Sequence, residues 1–105
     1  MLGELEQLVL LAVLRVGPEA YALSVAEALE THAGRAVMIA TVHKTLARLE
    51  EKGLVASRLG EPTAVRGGRR RRHYAVTRAG RAAVRESFET LRRMSQGLAV
   101  GWDVP

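Results

Sequence analysis

Residues 41–77 read TVHKTLARLEEKGLVASRLGEPTAVRGGRRRRHYAVT, and the reading of this stretch decides the fold. Val42, Leu46 and Leu49 recur at helical spacing. They predict a helix from about Thr41 to Lys52, with Thr41 as its cap and Gly53 as its C-cap. The other face of that helix carries His43, Lys44, Thr45, Ala47 and Arg48. Beyond Gly53 the pattern changes: Leu54 to Leu59 and His73 to Thr77 read as strands, with Val55, Tyr74 and Val76 as their apolar positions. Between them, Gly60 to Arg72 contains Pro62 and Gly67-Gly68 and reads as a long hairpin tip.

Working outward, Leu2, Leu5, Leu8, Val9, Ala12 and Val16 mark a first helix, and Leu10, Leu11, Val13 and Leu14 widen its apolar stripe nearly all round. It is expected to end at Gly17-Pro18, where proline removes an amide donor. Ser24, followed three residues later by Glu27, predicts the cap and capping box of a second helix that stops at Gly34. The β-branched stretch Ala36 to Ile39 suggests a minimal strand. On the far side, Thr77 is expected to cap a last helix whose Val84, Phe88, Leu91, Met94 or Ser95, and Leu98 form one stripe. Gly97 and Gly101 fray its end, and Trp102 to Pro105 is a short tail.

The chain has 105 residues, 48% hydrophobic and 26% charged, which is one folded domain and too little for a multidomain enzyme. With only four aromatic residues the core must be aliphatic, and an aromatic platform for single-stranded nucleic acid is disfavoured. The absence of cysteine excludes disulfides, thiolate zinc sites and cysteine catalysis, and suits a reducing cytoplasm. The apolar run Leu8 to Leu14 is too short to span a bilayer and follows Glu4 and Glu6, so no membrane or export role is expected.

Charge is unevenly distributed. Eight arginines and no acid lie between Arg66 and Arg85, so a chain of net charge +5 is net −3 everywhere else. One strongly cationic surface calls for a polyanion, with nucleic acid the first candidate. Three helices followed by a basic two-stranded hairpin form a winged helix-turn-helix. In that arrangement the third helix enters the major groove and the wing tracks the adjacent backbone. His43, Lys44 and Arg48 then share the groove-facing side, while Arg66 and Arg69 to Arg72 meet phosphates or the minor groove.

The ordered segments LGELEQLVLLAVL, AYALSVAEALE, TVHKTLARLEEKGLV and GEPTAVRGGRRRRHYAVTRAGRAAV resemble the PadR transcriptional regulators from Leu2 to about Leu98. The most specific parts are RLEEKGLV (Arg48 to Val55) and RGGRRRRHYAVTRAG (Arg66 to Gly80). The resemblance implies a homodimeric repressor on a two-fold symmetric operator. Its winged helix-turn-helix DNA-binding domain would cover residues 1–78, and a C-terminal dimerisation helix with a short tail residues 79–105. With one helix after the wing, the chain is similar to the short subgroup. Val84, Phe88, Leu91 and Leu98 are expected to dimerise against the N-terminal Leu2, Leu5 and Leu8 of a second copy. Effector-responsive members release DNA on binding a small, often aromatic, molecule near the dimer interface. The chain departs from the common pattern in carrying His43 where Tyr is usual, and Met38, Ile39 and Ala40 where Ser-Pro-Gly is usual.

The expected DNA-binding residues are Tyr21, Ser24, Thr41, His43, Lys44, Arg48, Arg66, Gly67, Gly68, Arg69, Arg70 and Arg71. Tyr21 either reaches a phosphate through its hydroxyl or packs between the first two helices. Ser24 is a phosphate candidate as well as a cap, and Gly67-Gly68 supply turn geometry. No cofactor or metal is expected, since His32 and His73 lack partners at ligand spacing. Nor is an enzyme: there is no nucleophile with a base, and Glu50 and Glu51 fall on different helix faces. The alternative function is a winged-helix interaction module using its basic wing on RNA or an acidic protein.

Overall fold

A computed structural model describes residues 2–61 and 70–98. The order is α1 (Glu4–Val16), α2 (Ala22–Ala33), α3 (Ile39–Glu51), β1 (Val55–Leu59), β2 (Arg72–Val76) and α4 (Arg78–Ser95). This is the expected mainly α architecture with one small antiparallel hairpin, paired from Val55 opposite Val76 to Leu59 opposite Arg72. Arg66, Gly67, Gly68 and Arg69, together with the tail from residue 99, lie outside the described residues.

The core is aliphatic. Val9, Leu10 and Val13 of α1, Val25 and Leu29 of α2, and Val42, Leu46 and Leu49 of α3 are buried together, and Val55, Tyr74 and Val84 close the cluster from the hairpin and α4. Among the described residues Tyr74 is the one aromatic ring in that core, and burial raises the pKa of its hydroxyl above its ordinary value of 10.0.

α1 begins at Glu4 because the Gly3 amide donates to Glu6 Oε1 at 3.0 Å, and acids in the first turn complement the helix dipole. Glu6 is itself buried, and its other oxygen accepts from Lys52 Nζ at 2.7 Å. The hydrogen bond from Lys52, then that from Gly3, holds the Glu6 carboxyl below its ordinary value of 4.5. The start of α1 is thereby fastened to the end of α3. α1 stops at Gly17, whose φ of +96° suits glycine, just before Pro18.

Two expectations about helix starts and one about a strand need correction. Ser24 is not the cap of α2: the helix begins two residues earlier, after Tyr21, and Ser24 sits in its first turn. There its Oγ accepts from the Tyr21 amide and donates to the Tyr21 carbonyl, both at 2.9 Å, so Glu27 has no capping partner to answer. Thr41 is not the cap of α3, because the helix starts at Ile39 after Met38, whose carbonyl accepts from the amides of Thr41 and Val42. Ala36 to Ile39 is not a strand. The described residues form a single two-stranded sheet that offers this segment no partner, and Ile39 already belongs to α3.

The remaining signals act as expected, with small shifts. Gly34 ends α2 in the left-handed region, and Gly53, at φ +75°, follows the C-cap Lys52. β2 includes Arg72, which the sequence placed in the hairpin tip. Thr77 caps α4, accepting from the Gly80 amide at 3.0 Å, and its own hydroxyl donates to the Gly53 carbonyl at 2.7 Å. Gly80 lies so close to the turn after α3 that a Cβ there would stand 2.1 Å from the Leu54 carbonyl oxygen. α4 ends at Ser95, so Leu98 lies beyond the helix instead of completing its stripe, and Gly97 takes φ +78°.

Candidate nucleic-acid interface

α3 divides cleanly by burial. Val42, Leu46 and Leu49 are inaccessible, and Thr45 is buried with its hydroxyl donating to the Thr41 carbonyl at 2.8 Å. His43, Lys44, Ala47 and Arg48 are exposed, as is Thr41. Thr45, read as part of the outer face, belongs to the inner one. A spacing of one residue from His43 to Lys44 and four from Lys44 to Arg48 gathers three donor-bearing side chains on the outward side.

The hairpin is fixed to the body beside the start of α2. The Tyr74 amide donates to the Ala20 carbonyl at 2.8 Å, tying β2 to the connector between α1 and α2. His73 Nδ1 lies 3.0 Å from the Glu19 carbonyl, and its ring meets Tyr21 edge to face, with centroids 6.2 Å apart. Arg58 reaches across to the Pro18 carbonyl and the Glu19 carboxylate, each at 3.2 Å. Gly60 permits this closure, since a Cβ there would come within 2.7 Å of His73 Nε2.

Tyr21 sits before α2, half-buried, with the Arg71 guanidinium 4.4 Å from its ring centroid, so two expected site residues meet through a cation–π contact. Ser24, half-buried, has its hydroxyl proton on the Tyr21 carbonyl. Arg70 and Arg71 are exposed at the foot of the wing. Arg72 has a structural partner: it donates to Ser57 Oγ at 3.0 Å, and Ser57 donates to Glu50 at 2.6 Å.

Glu19, Arg58 and His73 were missed from the sequence as the residues that seat the wing. No local signal marks them, because every contact they make depends on the hairpin folding back. On α4, Val84 is buried within the chain, whereas Phe88, Leu91 and Met94 are 55%, 53% and 74% exposed. Leu2, Leu5 and Leu8 are half-buried against the core. Among the described residues no cluster of His, Asp or Glu could hold a metal ion, and no helix is long and apolar enough to cross a membrane.

A helix that exposes His43, Lys44 and Arg48 beside a basic hairpin, on a three-helix body, defines a winged helix-turn-helix protein of the DNA-binding class. The sequence profile of the transcriptional regulator PadR-like family matches residues 10–86, and the chain belongs to that family. It is similar to a PadR-like transcription factor from Bacteroides fragilis, at 25% identity and a TM-score of 0.72, over 88% of this chain and 84% of that one. A PadR family transcriptional regulator from Eggerthella lenta gives 26% identity and a TM-score of 0.70, over 90% and 81%. The Bordetella bronchiseptica protein BpsR, whose DNA binding is regulated by 6-hydroxynicotinic acid, gives 25% identity and a TM-score of 0.68, over 97% and 68%. No protein of the curated set matches the chain in sequence.

Proposed function

We propose that the protein is a homodimeric repressor that holds a two-fold symmetric operator. In this reading α3 lies in the major groove and His43, Lys44 and Arg48 meet base edges and phosphates. Arg66, Arg69, Arg70 and Arg71 of the wing take the neighbouring backbone, with Gly67 and Gly68 shaping its turn. The observation that carries the reading is the division of α3: its buried Val42, Leu46 and Leu49 hold the helix in place, while His43, Lys44 and Arg48 stand in solvent along its first three turns and its exposed acids, Glu50 and Glu51, are confined to its end.

The start of α2 adds phosphate contacts through Tyr21 and through Ser24, whose hydroxyl must turn from the Tyr21 carbonyl to donate. Thr41 contributes from the first turn of α3. Dimerisation through α4 is supported by Phe88 and Leu91, which leave a large apolar surface uncovered beside Val84. Leu2, Leu5 and Leu8 supply the facing surface, and Leu98 adds to it from beyond the helix. Residues 1–78 then form the DNA-binding unit and residues 79–105 the dimerising segment.

An open groove of about 1020 Å³ between α1 and α4, lined in part by Leu11, Leu14 and Phe88 and by Arg81 and Arg85, suits a small aromatic or hydrophobic effector. Regulation of BpsR by 6-hydroxynicotinic acid gives precedent for such an effector among similar structures.

The test is fluorescence anisotropy on duplex DNA from upstream of the protein's own gene, against a scrambled duplex, at several salt concentrations. Binding at about 150 mM salt by two chains per site, with the scrambled duplex excluded, is the expected result. Equal, salt-sensitive binding to upstream, scrambled and RNA duplexes would overturn operator recognition.

A further inference from the structure

One apolar surface has no place in either the core or the proposed dimer contact. Leu23 near the start of α2, and Met38 and Ile39 at the start of α3, are 51%, 75% and 43% exposed. They line a shallow groove of about 420 Å³ together with Ala26 and Val37. Met38 also occupies the N-cap of α3, a position where Ser, Thr, Asp or Asn stabilises a helix by accepting an amide hydrogen bond. Methionine makes no such bond, so α3 begins without a side-chain cap while α4 has Thr77. The sequence places a long, flexible thioether at the tip of the helix at the expense of that helix's stability.

We propose that Met38, with Ile39 beside it, is a specificity-determining residue that reads a thymine methyl group in the major groove. The proposal rests on α3 being the groove-reading helix, because it is the N-terminal residues of such a helix that contact base edges. The thymine C5-methyl is the apolar group that a base pair shows in the major groove, and it is what an apolar side chain there can distinguish. Lys44 and Arg48, exposed on the same helix, draw the polyanion to this end of the molecule.

The experiment begins with a duplex selected by the full-length protein from randomised DNA. Each thymine of that duplex is replaced in turn by deoxyuracil, which removes one methyl group and keeps every hydrogen-bonding group. Burying one carbon predicts a loss of about four-fold in affinity at one thymine per half-site. Met38→Ser is the companion variant. Serine caps α3, so thermal unfolding is expected to occur at or above the wild-type temperature, and the thymine-to-deoxyuracil ratio at that position is expected to fall to about one. An unchanged ratio in Met38→Ser, or no methyl-sensitive thymine anywhere, overturns the proposal. If Lys44→Ala still shifts sequence preference in that case, the groove-reading role of α3 stands and the methyl contact alone falls. Failure to select any sequence overturns both.

Discussion

The Arg71 guanidinium lies over the Tyr21 ring, 4.4 Å from its centroid, although the whole of α2, α3 and β1 separates the two residues in the chain. The contact joins the foot of the wing to the start of α2, two segments for which phosphate contacts are proposed. An exposed stack of this kind is worth about 0.5–1 kcal/mol. Tyr21→Phe loses the hydroxyl proposed to meet phosphate and is expected to weaken binding to all duplexes by about two- to ten-fold, the range of one hydrogen bond. Tyr21→Ala also removes the ring on which the Arg71 guanidinium rests and is expected to lose at least as much. Anisotropy titrations of both variants check this, and a Tyr21→Phe affinity equal to the wild type would leave the role to the ring alone.

Base contacts and phosphate contacts separate by salt. Arg70→Ala is expected to weaken binding to selected and scrambled duplexes alike and to reduce the salt slope by about 0.9 for each phosphate left without its guanidinium. Lys44→Ala and His43→Ala are expected to change which sequence is preferred. Equal losses on every sequence for all three variants would refute the division.

The exposed part of the α4 stripe predicts a clean dissociation. Phe88→Asp with Leu91→Asp removes little packing inside one chain, since both side chains are about half exposed there. Sedimentation is expected to show a monomer with unchanged helical circular dichroism, and operator affinity is expected to collapse with the dimer. A dimer that survives the double substitution places the interface elsewhere.

Glu6 makes stability depend on acid. Its carboxyl is held below the ordinary value of 4.5 by Lys52 and by the Gly3 amide. A folded-state pKa below the unfolded one contributes stability that is present above pH 4.5 and lost as the pH falls through the lowered value. Glu6→Gln is expected to be less stable at neutral pH and to show a shallower loss in acid. Denaturant unfolding at about pH 7 and about pH 3.5 measures both, and parallel acid profiles for wild type and variant would contradict the assignment.

Gly80 is where α4 presses closely on the turn after α3. With a Cβ placed 2.1 Å from the Leu54 carbonyl oxygen, Gly80→Ala must push α4 off the turn after α3. A cost of about 1–3 kcal/mol is expected, the usual range for overpacking, read as a lowered midpoint in thermal or urea unfolding.

Much of the architecture was legible in the residues. The inward spacing of Val42, Leu46 and Leu49, the Thr77 cap and the glycine at residue 53 each signal through a local rule, and the structure follows them. The misreadings share a cause. Ser24 forms with Tyr21 the backbone bonds that a serine makes just inside a helix, and from sequence these resemble those of a cap. Val37 to Ile39 has strand-forming residues, but a strand exists only if another segment pairs with it, and that is not a local property. The same limit hid His73 on Glu19 and Arg71 on Tyr21, which become neighbours only once the hairpin docks. The outward donors of α3 were visible because helical periodicity alone determines which side of a helix is wet.

Thr77 links two elements that the domain boundary would separate. Its single hydroxyl accepts from the first turn of α4 and donates to the Gly53 carbonyl, two residues past the end of α3. α4 is thus an arm tied at its base to the turn after α3. At 1.5 Å per residue its 18 residues make an arm of about 27 Å. A tilt of about 10° at that base moves the far end by roughly 5 Å, the rise of about one helical turn. In the proposed dimer, joined through these arms, a small wedge between them would alter the separation of two α3 helices that would have to match one turn of DNA. On that proposal, release of an operator would require no unfolding and no blocked surface, only a mismatch of pitch.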